Sequence, residues 1–377
     1  MHKLIALGSL ALIAVAGCAQ DHTITAPRAD RATDLSANLA SERADGPGAV
    51  YALTNAVGAN AVAVFARNAD GSLAWTGNVA TGGAGAGSGL GSQSAIALSD
   101  DGRWLVAVNA GSNDISAFSV GEAGPSLTGR VASGGIRPIS VTVHGDLVYV
   151  LNAGNDGNIS GFRIDHDGAL APIPQSTRPL SSTAAGPAQV SFSPDGRWLV
   201  VTEKSTNRLD VYGVTSDGVA WSAGTTASAG GTPFGFAFGH RGEVFVSEAA
   251  GSASSYVLDG GALSLASGAI VTHQGAPCWA VVTNNGRFGF TANAQGGSIS
   301  GFAIAPDGTI RLIDADGRTA IVGPGNIDLA VSGNSRYLYQ LNGNRSISGF
   351  RIEADGHLTS VGTALGLPAS AVGLAAR

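Results

Sequence analysis

Two glutamates interrupt a recurring pattern. The stretch WLVVTEKSTNRLDVY at 198–212 carries Glu203 and Lys204 where YALTNAVGANAVAVF, LVAVNAGSNDISAF, GFTANAQGGSISGF and YLYQLNGNRSISGF carry Asn followed by a small residue. A second glutamate, Glu248, stands at the same point of the next copy. Asn at the end of a strand satisfies turn backbone groups, and a carboxylate can do that too or serve as a general base. Both roles stay open for the two glutamates. Other departures fall where the copies begin: Arg137, Gln189, Cys278, Trp279 and Asp328 stand where the siblings are mostly Ala, Ser, Gly or Thr. Trp279 can equally fill the core between modules. Two charge signs and an aromatic suit a pocket for a polar or anionic ligand.

Of the histidines, His144, His166, His240 and His357 fall in turns at the other end of the strands and His2 and His22 near the N-terminus, which leaves His273 in VTHQGAPCW as the candidate imidazole base. Cys278 is near it, but no group orients the pair, and a free cysteine is ordinarily a small buried apolar residue. No His/Cys group has metal-ligand spacing, so neither metal nor cofactor is expected. The run GGAGAGSGLGSQS at 82–94 has GxGxxG-like spacing but joins two strands rather than a strand and a helix, so it implies no phosphate loop.

The elements that must position these residues recur from Ala49 onward: an apolar strand, a tight turn, a second strand ending in a polar residue, a third strand with an aromatic, a DG-type turn and a fourth strand. The polar position falls at Asn55, Asn109, Asn152, Glu203, Glu248, Asn293 and Asn342, and the aromatic at Phe65, Phe118, Phe162, Tyr212, Tyr256, Phe302 and Phe350. Seven copies at a spacing of 43 to 54 residues predict an all-β, seven-bladed β-propeller of four-stranded antiparallel blades. The first copy lacks its opening strand, and the C-terminal PASAVGLAAR reads as a lone one. The last segment is therefore expected to pair into the first blade and close the ring, removing a free edge. The odd-one-out residues then gather on one rim of the central channel.

Charged residues make up 13% of the 377-residue chain and the formal net charge is −6, which leaves no electrostatic footprint for nucleic acid. The N-terminus, MHKLIALGSLALIAVAGCAQ, has a basic Lys3, an apolar run of 14 residues from Leu4 to Gly17 and VAGC at a small-residue cleavage point. Residues 1–17 read as a lipoprotein signal peptide with Cys18 lipidated, the alternative being a plain secretory signal with an incidental cysteine. Residues 19–48 read as a disordered tether and 49–377 as the propeller. The expected location is the bacterial cell envelope, with the lipid as the sole membrane attachment; the absence of Asp after Cys18 favours the outer membrane. A monomer is expected.

RPISVTV, FSPDGRWLVVTEK, LNAGNDGNISGFRIDHDGAL and ISGFAIAPDGTI resemble motifs of the bacterial seven-bladed lactonase family, which groups 6-phosphogluconolactonase-like proteins with carboxy-cis,cis-muconate cyclases. The resemblance covers nearly all of 49–377 and implies a small anionic lactone or muconate-type substrate. Family members proposed to be catalytic place a histidine on the opening strand of a middle blade, with Arg and Glu nearby. The matching positions here are Gly186, Pro187, Ala188 and Gln189, without a histidine; Glu203 supplies an acid and Arg137 enters the neighbouring blade. The enzymatic reading makes Glu203 or Glu248 the general base, its pKa raised by the adjacent acid, and has Arg137 and Lys204 hold the substrate's carboxylate or phosphate. The alternative is a non-catalytic binding or scaffold propeller for a polysaccharide, peptide or protein partner.

Overall fold

The computed structural model describes residues 46–323 and 325–377. The signal-peptide and Cys18 expectations, and the tether up to residue 45, lie outside the described residues.

Seven antiparallel sheets follow one another around a ring, and no helix occurs among the described residues. Their innermost strands are Val372–Ala376 for blade one, then Ile96–Leu98, Pro138–His144, Pro187–Phe192, Pro233–Phe238, Pro277–Val282 and Asn326–Val331 for blades two to seven. Four of these begin with proline. An innermost strand has only one paired edge, so a missing N–H at its first residue costs little there. In blades three and six the outermost strand is broken into two short pieces, both paired to the third strand.

The repeat explains the packing. All seven third-strand aromatics, Phe65, Phe118, Phe162, Tyr212, Tyr256, Phe302 and Phe350, are buried. The two tyrosines keep their hydroxyls paired: Tyr212 donates to the Pro179 carbonyl at 2.9 Å, and Tyr256 accepts from the Ala229 N–H at 2.7 Å. On the lower face, the turn after several of the innermost strands is fixed by a small side-chain motif. In blade four the Ser193 hydroxyl donates to Asp195 at 2.6 Å, Asp195 accepts from the Arg197 N–H at 3.2 Å, and Gly196 takes φ 68. Blades two and six repeat it with Ser99/Asp101 and Thr283/Asn285.

The ring closes as expected. Val372–Ala376 pairs antiparallel with Gly48–Leu53, and the Arg377 N–H donates to the Ala49 carbonyl at 2.9 Å.

Candidate functional site

The upper face, where second strands end and innermost strands begin, is crossed by the glycine-rich segment at 82–94. Glycine is needed because this chain runs against backbone: a Cβ on Gly85 would meet the Asn55 carbonyl carbon at 2.1 Å. The segment runs from the outermost strand of blade one to the innermost strand of blade two and stitches itself to four other blades. Gly91 O accepts from Lys204 Nζ at 2.5 Å, and Ser92 O from Trp279 Nε1 at 2.9 Å. The Ser92 hydroxyl donates to Ile139 O at 2.8 Å. The Gln93 N–H reaches Ala188 O at 3.1 Å, and the Gln93 amide pairs with both the N–H (2.9 Å) and the carbonyl (2.6 Å) of Ala280. Ser94, at φ 62, ends it, with its N–H on Asp328.

The path of this segment accounts for several of the departures from the repeat. A seven-fold ring leaves a hole that the link between blades one and two fills with a plug, so the blades that meet it do so differently and need their own side chains. Lys204, Trp279 and Asp328 hold the plug. Gln189 bridges blades, accepting from the Phe236 N–H at 2.7 Å and donating to its carbonyl at 3.0 Å, and its amide also reaches Ser94 Oγ at 3.5 Å. Asp328 also accepts from the Leu374 N–H of the closing strand at 3.1 Å. Burial pushes the Asp328 carboxyl well above the usual carboxylate range, against the pull of the Leu329, Leu374 and Ser94 N–H groups. Gln189, Trp279 and Asp328 do gather at the channel's upper end, but as its seal.

Off the axis, a cavity of about 380 Å³ opens on the upper face between blades three and four. Arg137 and Lys204 line it with Asn155, Asp156, Thr183 and Ser205. Arg137 is exposed and held at φ 56, its N–H anchored on Asn113 Oδ1 at 2.7 Å. Lys204 Nζ also donates to Pro187 O at 2.9 Å and lies 5.0 Å from the centre of the Phe234 ring. Burial brings this amine down to about 8, with the Cys278 thiol opposing and the Arg137 charge assisting. The Cys278 thiol is itself pushed up to about 12 by burial, which keeps it a neutral core group.

The two glutamates lie elsewhere. Both are fully buried. Glu248 Oε1 accepts from Ser228 Oγ (2.9 Å), Gly230 N (2.7 Å) and Ser254 Oγ (2.5 Å), and Oε2 accepts from Ser252 Oγ (2.6 Å). Asn293 meets the same kind of hydroxyls with reversed polarity, donating to Ser298 at 3.0 Å and Ser300 at 2.9 Å. Glu203 accepts from the Ser181 N–H at 2.9 Å, from the Ser181 hydroxyl and from Thr206 Oγ1 at 2.5 Å. Each carboxylate is thus enclosed in its own blade's loops, and neither lines the Arg137/Lys204 cavity. The acid beside Glu203 is Asp210, not Glu248. Burial would raise the Glu203 pKa, but hydrogen bonds from Asp210, Ser181 and Thr206 outweigh it and bring it below the ordinary value, the reverse of the shift a general base needs.

His273 is exposed in the loop before blade six, at φ 58, and lines neither this cavity nor the channel. The channel forms a second cavity of about 450 Å³, capped above by Gln93, Ser94 and Gln189 and open below beside Asp100, His144, His240 and Asn284. His144 Nδ1 faces Asp100 Oδ2 at 3.0 Å, and its ring packs on Phe192 at 5.7 Å. No departure from the repeat singles out Asp156 or Gln93 in the sequence. The position of Gln93 in a run of Gly and Ser was the one available signal for it. Among the described residues no group of three or more His, Cys, Asp or Glu could hold a metal ion.

Residues 58–180 match the family described as "Lactonase, 7-bladed beta-propeller". The chain is lactonase-like in fold. No curated protein matches it in sequence. Among solved structures, a candidate 6-phosphogluconolactonase from Bacteroides uniformis superposes with a TM-score of 0.70 at 19% identity, covering 86% of this chain and 99% of that one. A protein from Lactobacillus plantarum gives 0.70 at 19%, covering 87% and 98%. The periplasmic gluconolactonase PpgL of Pseudomonas aeruginosa gives 0.67 at 17%, again covering 87% and 98%. At these identities the likeness establishes the lactonase-like propeller fold and nothing finer.

Proposed function

We propose that this lactonase-like propeller binds a small anionic lactone of the sugar-acid type in the cavity between blades three and four and opens it by hydrolysis. One observation carries the reading: two cationic side chains, Arg137 and Lys204, line one small concave site with a single carboxylate, Asp156. Arg137 is a planar fork suited to a carboxylate or phosphate, and Lys204 a point charge suited to the oxygen on which negative charge grows when water adds to the lactone carbonyl. Asp156 is the group able to orient that water. This assignment moves the acid role from Glu203, Glu248 and His273 to Asp156, because those three do not line the cavity.

Hydrolysis of a panel of sugar-acid and muconate-type lactones, followed by base uptake at constant pH, tests it. Turnover that falls at least tenfold in both Arg137→Gln and Asp156→Asn is expected, as for loss of a charge-assisted contact and a proton acceptor. Turnover unchanged in both removes the assignment. Saturable lactone binding without turnover favours the second reading, a non-catalytic binding propeller, which the enclosure of Glu203 and Glu248 also favours.

The N-terminal motif supports an envelope location, with Cys18 lipidated and the outer membrane favoured. Incorporation of labelled fatty acid that disappears in Cys18→Ala is the expected result.

A further inference from the structure

Lysine occurs twice in the chain, at Lys3 and Lys204; the other 19 of its 21 basic residues are arginine. Everywhere else within the described propeller a positive side chain is a guanidinium, which cannot lose its proton. An ammonium stands only at Lys204, in the wall of the upper cavity.

The surroundings of that amine, besides tying it to the plug, suit a nucleophile. Its hydrogen-bond partners are two neutral main-chain carbonyls, Gly91 O and Pro187 O. Phe234 lies against it, and the charge beside it is the like charge of Arg137. A neutral amine has two N–H bonds, enough to keep both carbonyl partners while its lone pair remains free. Desolvation together with a neighbouring cation is the usual means of activating a lysine. In keeping with this, its pKa of about 8 leaves a useful neutral fraction at mildly alkaline pH.

We propose that Lys204 is a reactive amine that captures small anionic aldehydes and 2-oxo acids as an imine, with Arg137 binding the carboxylate. The lone pair of Nζ attacks the carbonyl carbon and forms the C–N bond. One amine proton moves to the carbonyl oxygen to give the carbinolamine, and the resulting hydroxyl leaves with the second amine proton as water. The proposal rests on the reading of this cavity as an anion site.

The test uses the full chain with glyoxylate and cyanoborohydride, which reduces the imine to a stable carboxymethyl amine, followed by peptide mass mapping. Saturable labelling of Lys204 is expected, faster than that of free lysine at the same pH, rising with a midpoint near 8 and slowed about tenfold or more in Arg137→Gln. Labelling no faster than free lysine, or equally fast without Arg137, overturns the proposal. Lys204→Arg, checked for folding by circular dichroism, must abolish the label. Calorimetric binding of gluconate separates the two ideas: Arg137-dependent binding with an unreactive Lys204 sinks the amine and leaves the anion site standing, whereas no binding sinks the anion site.

Discussion

Glu203 and Asp210 converge on a single donor: the Ser181 N–H lies 2.9 Å from Glu203 Oε1 and 3.0 Å from Asp210 Oδ2. Two carboxylates this close in a buried site cannot both ionise, so they share a proton. Burial and the Glu203 neighbour push Asp210 up to about 7, while Glu203 is held below its ordinary value. Asp210 Oδ1 is buried without a hydrogen-bond partner, so nothing there compensates a negative charge on Asp210.

The pair makes stability depend on pH in a defined direction. Asp210 has a raised folded pKa, so its contribution is full below the unfolded value near 4 and is lost as pH rises towards about 7, at up to about 1.4 kcal/mol per pH unit. Glu203 acts oppositely, its contribution present at neutral pH and lost only in acid. Asp210→Asn keeps a donor towards Glu203 without a titrating proton. The gain in denaturant midpoint over the parent protein should therefore be smallest at pH 4 and grow up to pH 8; an unchanged difference between the two pH values would exclude the shared proton.

Gly235 and Gln93 test the plug. A Cβ on Gly235 would lie 2.0 Å from Gln93 Oε1 and 2.8 Å from the Cys278 carbonyl. Gly235→Ala is expected to cost about 1–3 kcal/mol by overpacking. Gln93→Ala removes both partners of Ala280 and should cost about 1–3 kcal/mol as well, with faster hydrogen exchange at the Ala280 amide. Protection at Ala280 that survives the substitution would show that Gln93 does not hold blade six.

Glu248 accepts four hydrogen bonds inside blade five, so Glu248→Gln, which replaces one acceptor oxygen with a donor, leaves buried donors without a partner. A loss of about 1–3 kcal/mol in denaturant unfolding is expected, with gluconate binding at Arg137 as before. Loss of binding at unchanged stability would return Glu248 to the list of site residues.

Removal of residues 372–377 strips blade one of its inner strand and takes the Leu374 partner from Asp328. The truncated chain should lose its cooperative unfolding transition and associate through the freed edge of Gly48–Leu53, as read by calorimetry and light scattering. A sharp transition in a monodisperse truncated protein would show that ring closure is dispensable.

The sequence by itself determined the scaffold. Strand alternation, the seven buried aromatics and the Asp/Asn-Gly turns are local signals, and repetition multiplies each of them. The complementary ends, AVYALTNA and PASAVGLAAR, were enough to show how the ring closes. Polar residues at the ends of second strands were also legible as turn partners, and Glu203 and Glu248 prove to be members of that set with reversed hydrogen-bond polarity.

Tertiary structure alone decided what the irregular residues touch. Gly91 lies 113 positions from Lys204, and Ser92 lies 187 positions from Trp279. Which carbonyl of a glycine-rich stretch meets which blade follows from the path that stretch takes across the axis, and backbone groups carry no identity in the sequence. For the same reason the seal over the channel, and the displacement of the cationic pair to an off-axis cavity beside Asp156, appear only once the ring is assembled.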